Sequence, residues 1–129
     1  MFKAKLKKKI ISTLLAAFLV LTVASSAFAA TEYSDTVTVP AHGGNFFSNA
    51  HPATGSVQHA KVNSVTPSQT IYGTIVDGGT LNNLSSETTL YTTYASLSSG
   101  VQAGTSIRIM LETSLFSGYA GTVNFTWIP

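Results

Sequence analysis

The chain has 129 residues, no cysteine, and seven Lys/Arg against five Asp/Glu, a formal net charge of +2. Without cysteine it has no disulfide framework, no thiolate nucleophile and no site for a lipid-modified cysteine. Five of the cations are Lys3, Lys5, Lys7, Lys8 and Lys9. Past residue 29 only Lys61 and Arg108 face Glu32, Asp35, Asp77, Glu87 and Glu112, a balance of 2 − 5 = −3 with histidine neutral. That excludes nucleic-acid binding and polybasic attraction to anionic lipid, both of which need clustered cations.

The first element is an export signal. "MFKAKLKKK" is followed by the apolar run "IISTLLAAFLVLTVA" and then by "SSAFAA", with Ala27 and Ala29 in small-x-small spacing. A charged region, a short apolar region and an A-x-A site make a secretory signal peptide. The apolar run falls short of the roughly 20 residues that a spanning helix needs. Residues 1–29 are therefore expected to be a signal peptide of bacterial type, and residues 30–129 a single secreted, extracellular domain. Serine and threonine supply 29 of those 100 residues and only seven are charged, so the surface is expected to be hydroxyl-rich and weakly charged.

Period-2 alternation marks the strands that follow. In "YSDTVTV", Tyr33, Val37 and Val39 fall on one face and Ser34, Thr36 and Thr38 on the other, and Pro40 ends the run. A short strand is expected over residues 45–48. "SVQHAKVNSV" puts Ala60 and Val62 on one face and His59, Lys61 and Asn63 on the other. "TIYGTIV" is rich in β-branched residues and stops at Asp77-Gly78-Gly79, a turn signal. "LNNLSSE" has room for one helical turn. "TTLYTTYASL" reads as one strand, although both its faces carry apolar residues.

The last third alternates most strictly. "SIRIMLE" aligns Ile107, Ile109 and Leu111, and "TVNFTWI" aligns Val123, Phe125 and Trp127. The connector "TSLFSGYAG" suits a wide hairpin, with a further short strand expected over residues 115–119. Six or seven short strands separated by Gly, Pro and Asn turns predict an all-β fold, a small antiparallel β-sandwich, with a small β-barrel as the alternative. "GVQAGTSIRIML" together with "GYAGTVNFTWIP" resembles the closing strands of small bacterial secreted β-sandwich modules, in which an Ala-Gly-Thr turn feeds an alternating strand. The resemblance implies architecture and no function.

Five groups of residues bear on function. All three histidines, His42, His51 and His59, fall in "HGGNFFSNAHPATGSVQH" at separations of nine and eight residues. Zinc ligands are usually spaced more closely, so that neighbours reach one ion. His59 shares a polar face with Lys61, His42 precedes a Gly-Gly bend and His51 precedes Pro52. These positions predict turn and surface residues, and no metal or other cofactor. Nucleophilic catalysis lacks both a G-x-S-x-G elbow and a cysteine. Paired carboxylates for glycoside chemistry are not indicated, because Asp77, Glu87 and Glu112 lie far apart in sequence.

The aromatics Phe46, Phe47, Tyr72, Tyr91, Tyr94, Phe116, Tyr119, Phe125 and Trp127 offer a platform for sugar or a protein partner. Phe125 and Trp127 are expected in the core. Phe116 and Tyr119, in a Gly/Ser connector, are expected to be exposed. Ser/Thr-rich alternating segments also suit a strand pair that inserts in a bilayer.

The leading expectation is a secreted non-enzymatic module acting by binding or assembly at the bacterial cell envelope or extracellular matrix. Its partner would be an envelope component, a matrix or a protein. The alternatives are a secreted antimicrobial or pore-forming polypeptide, and a small metal-dependent or hydrolytic enzyme. No catalytic, cofactor-binding or metal residue is assigned.

Overall fold

A computed structural model of the protein describes residues 30–129, and the expected signal peptide, residues 1–29, lies outside the described residues. Nine strands follow one another: β1 (Tyr33–Val39), β2 (Asn45–Phe47), β3 (His51–Pro52), β4 (Val57–Thr66), β5 (Ile71–Asp77), β6 (Thr88–Leu90), β7 (Ala95–Ser98), β8 (Ser106–Thr113) and β9 (Gly121–Ile128). They form two antiparallel sheets, β1-β9-β4-β7 (sheet A) and β2-β8-β5-β6 (sheet B), and β3 also pairs with β8. The alternation thus gives a β-sandwich, as expected.

The inward rows make the core. Val123, Phe125 and Trp127 of β9 pack with Ile107, Ile109 and Leu111 of β8, Ile71 and Ile75 of β5, and Ala60 and Val62 of β4. Phe46 of β2 meets Phe125 edge-on at 6.3 Å between ring centroids. Burying each large apolar side chain contributes about 1.5–3 kcal/mol. A β-bulge between Val62 and Ser64 shifts the parity by one residue, so that Val65 and not Ser64 turns toward the core. Gln58 is buried among the inward residues of β4. Its Nε2 donates to the Gly55 carbonyl at 2.8 Å, and its Oε1 has no partner among the described residues.

Three local expectations are corrected. "TTLYTTYASL" is not one strand: β6 ends at Leu90 in sheet B and β7 begins at Ala95 in sheet A. Its two apolar faces serve two different sheets, and Tyr91 and Tyr94 are left exposed at the crossing. The 114–120 connector is not a hairpin loop and holds no strand, because β8 belongs to sheet B and β9 to sheet A. "LNNLSSE" forms no helical turn. Leu81 has φ 63° and Asn83 bridges to Val76, so the segment returns along the edge of β5.

Only β2–β3 and β5–β6 are consecutive strands that stay in one sheet. Sheet A joins β1 to β9, residues from opposite ends of the described chain. Such non-local pairing has to overcome loop-closure entropy before it gains contacts, which slows folding.

Candidate functional site

The histidine-rich stretch is dispersed by the fold. His42 (φ 58°) and Gly43 (φ 73°) are the two central residues of a tight turn closed by Gly44 N–H on the Ala41 carbonyl at 3.1 Å. Two consecutive positive φ values make a type I′ turn, and His42 contributes backbone there. His51 lies in β3, stacked on Tyr33 at 3.6 Å between centroids and edge-on to Trp127 at 5.9 Å. Burial lowers its pKa from the ordinary 6.5, so the packed ring favours the neutral form. His59, on the outer face of sheet A, has Nδ1 at 3.4 Å from Ser96 Oγ. Among the described residues no three His, Asp or Glu side chains gather as metal ligands would.

Among the described residues, polar side chains gather in two clefts and on the outer face of sheet A. The first cleft, about 170 Å³, lies at the seam where β1 crosses β2 and β3, lined by Tyr33, Asp35, Phe46, His51, Phe125 and Trp127 among others. Its aromatics are those of the core edge, and His51 closes it as a packed ring.

The outer face of sheet A is the hydroxyl-rich surface read from the sequence. Its groups bond to one another. Ser34 Oγ and Thr126 Oγ1 are 2.7 Å apart, and Asn63 Nδ2 donates to Thr126 Oγ1 at 3.0 Å and to Asn124 Oδ1 at 2.7 Å. Asn124 Nδ2 donates onward to Thr36 Oγ1 at 2.8 Å. Thr126, at the centre, is only 5% exposed. At one end Lys61 Nζ sits 4.7 Å over the Tyr94 ring, whose hydroxyl donates to Glu32 Oε1 at 2.7 Å.

The second cleft, about 390 Å³, opens on sheet B and is lined by Gly43, Tyr72, Glu87, Glu112, Thr113, Ser114, Leu115 and Phe116. The register builds it. Tyr72 of β5 stands opposite Glu112 of β8 on one side and Thr89 of β6 on the other, and Glu87 leads into β6. Tyr72 and Glu112 take the outward parity of strands whose inward residues are Ile71, Ile109 and Leu111. Burial, and then the nearby Glu87 charge, hold the Glu112 carboxyl above its ordinary value. Among the described residues no lysine or arginine lines this cleft to compensate the pair.

The rim is held by the turn that contains His42. Gly43 N–H donates to the Ser114 carbonyl at 3.0 Å, and His42 N–H to the Ser117 carbonyl at 2.9 Å. Thr113 Oγ1 donates to the Pro40 carbonyl at 2.6 Å. The left-handed φ of +73° favours glycine at position 43, and a Cβ there would also displace the tip of Leu115, whose Cδ2 lies 2.7 Å away. Braced in this way, the connector holds Leu115 75% and Phe116 97% exposed.

Phe116 and Tyr119 are exposed, and Phe125 and Trp127 buried, as the sequence indicated. The Glu87–Glu112 pair was missed. Twenty-five residues separate the two, and only the β5–β6 and β5–β8 pairings bring them to one cleft. The readable signal was the outward parity of Tyr72 and Glu112 on two strands. No protein-family model matches the chain and no curated protein matches it.

Proposed function

We propose that the protein is a secreted, non-enzymatic β-sandwich module of a bacterial cell that binds a glycan of the cell envelope or extracellular matrix through the cleft on sheet B. Export rests on the n-region, apolar run and A-x-A pattern of residues 1–29. The observation that carries the binding reading is Phe116. A phenyl ring 97% exposed, on a connector braced by hydrogen bonds, faces a cleft with Tyr72 and two carboxylates. A sugar ring presents an apolar C–H face and a rim of hydroxyls. The aromatics match the face, and Glu87, Glu112 and Ser114 match the hydroxyls. Among the described residues the cleft holds two carboxylates and no cation, so Coulomb repulsion disfavours phosphate- or uronate-rich polymers and favours uncharged or amine-bearing glycans.

The test is co-sedimentation of the exported protein with insoluble cell-wall glycan. Phe116→Ala should weaken retention tenfold or more, the loss of an aromatic anchor worth about 2 kcal/mol, while leaving thermal unfolding unchanged. Equal retention of the variant would contradict the reading. Release of soluble fragments from the glycan would assign the carboxylate pair to hydrolysis. A second reading is favoured by the exposed Leu115, Phe116 and Tyr119, which offer an apolar tip to a membrane. Dye release from liposomes that is lost in Phe116→Ala would establish it in place of glycan binding.

A further inference from the structure

The edges of the two sheets are unequal. β6 has three residues, β7 has four, and the edge formed by β2 and β3 is interrupted and contains Pro52. Such short or broken edges resist strand addition. Among the described residues β1 alone offers a continuous edge of seven residues, without proline or lysine, bonded to β9 on one side.

The side-chain bonds show which backbone groups β1 turns outward. Ser34, Thr36 and Thr38 stand opposite Thr126, Asn124 and Thr122. The side-chain hydrogen bonds of the first two pairs fit the closer side-chain approach of non-hydrogen-bonded positions. The N–H and C=O groups of these three residues therefore point away from β9. Thr36 N–H confirms the direction, because it donates to the carboxylate of its own neighbour, Asp35 Oδ1, at 2.8 Å.

Thr36 is the middle residue of β1. Two copies placed antiparallel about a twofold axis through Thr36 pair Thr36 with Thr36 and Ser34 with Thr38, each pair exchanging its outward N–H and C=O groups. Asp35 opposes that register twice. It occupies the N–H at its centre, and it brings an exposed carboxylate on the parity of Tyr33 and Val37 to a position beside the partner's Val37. An inward-parity charge on an edge strand is a known guard against edge pairing, because pairing would desolvate it.

We propose that Asp35 is a guard that keeps the β1 edge from pairing with a second copy of this chain in the antiparallel register about Thr36. Sedimentation velocity of the protein, as its host processes it, tests this. Wild type should sediment as a monomer, and Asp35→Ala should double in mass as its concentration rises while keeping a cooperative thermal transition. Asp35→Val replaces the alanine variant if the latter fails to fold. Adding Thr36→Pro should return the variant to a monomer, because proline removes the outward N–H without touching the β9 ladder. A wild-type dimer, a folded Asp35 variant that stays monomeric at its highest soluble concentration, or a dimer that survives Thr36→Pro would overturn the proposal.

Discussion

The outer faces of the two sheets both carry polar side chains, and they differ in what those groups are bonded to. On sheet A, Ser34, Thr36, Asn63, Asn124 and Thr126 form one chain of side-chain bonds across three strands. Even its cation is engaged, with Lys61 over Tyr94. On sheet B, Glu87 and Glu112 line one cleft that holds no cation among the described residues, beside a phenyl ring in solvent. A polar surface that satisfies itself has little to gain from a ligand. One that holds like charges and exposed aromatics together has interactions still to make.

Three substitutions separate the faces, in order of expected effect. Gly43→Ala forces a side chain into φ +73° and toward Leu115. It should cost about 1–2 kcal/mol by urea denaturation and weaken glycan retention by loosening the rim. Unchanged retention would uncouple the turn from the cleft. Thr126→Val removes the hydroxyl at the centre of the sheet A chain and should cost about 1 kcal/mol, with retention unaltered. A variant that loses binding would move the site to sheet A.

The third is Glu87→Gln, read as a pH profile. The folded chain holds the Glu112 proton more tightly than the unfolded chain does, since its folded pKa lies above the ordinary 4.5. The unfolded state therefore binds fewer protons in that window. Stability falls as pH rises from the ordinary carboxylate range through the raised value, and the contribution is fully lost above it. Removing the Glu87 charge should shrink this fall without abolishing it, because burial is the larger cause. Denaturation midpoints from about pH 4 to 7 that track wild type would show that Glu87 does not act on Glu112.

The sequence made one half of this comparison legible. Strict alternation in "SIRIMLE" and "TVNFTWI" named the inward rows of β8 and β9, and with them the outward Arg108, Glu112, Asn124 and Thr126. The hydroxyl-rich face of sheet A follows from the same parity. "TTLYTTYASL" misled because a chain that changes sheets midway carries apolar residues on both parities without a Gly or Pro to mark the break. The cleft on sheet B was not legible, because parity says which way Tyr72 and Glu112 point and not which strands become neighbours. The sequence reads His42 as a residue before a Gly-Gly bend and not as part of a ligand set. The part of His42 and Gly43 is a left-handed turn that braces the rim displaying Phe116, a role set by backbone conformation and by the Ser114 and Ser117 carbonyls.

The central claim is that contact is made by the sheet B cleft and not by the sheet A face. Titrating the isotopically labelled protein with soluble fragments of cell-wall glycan, followed by heteronuclear NMR, tests it most directly. Saturable shifts should cluster at Tyr72, Glu87, Glu112, Leu115 and Phe116, with Thr36, Asn63, Asn124 and Thr126 unmoved. Shifts centred on the sheet A residues, or none anywhere with glycan in excess, would contradict the account.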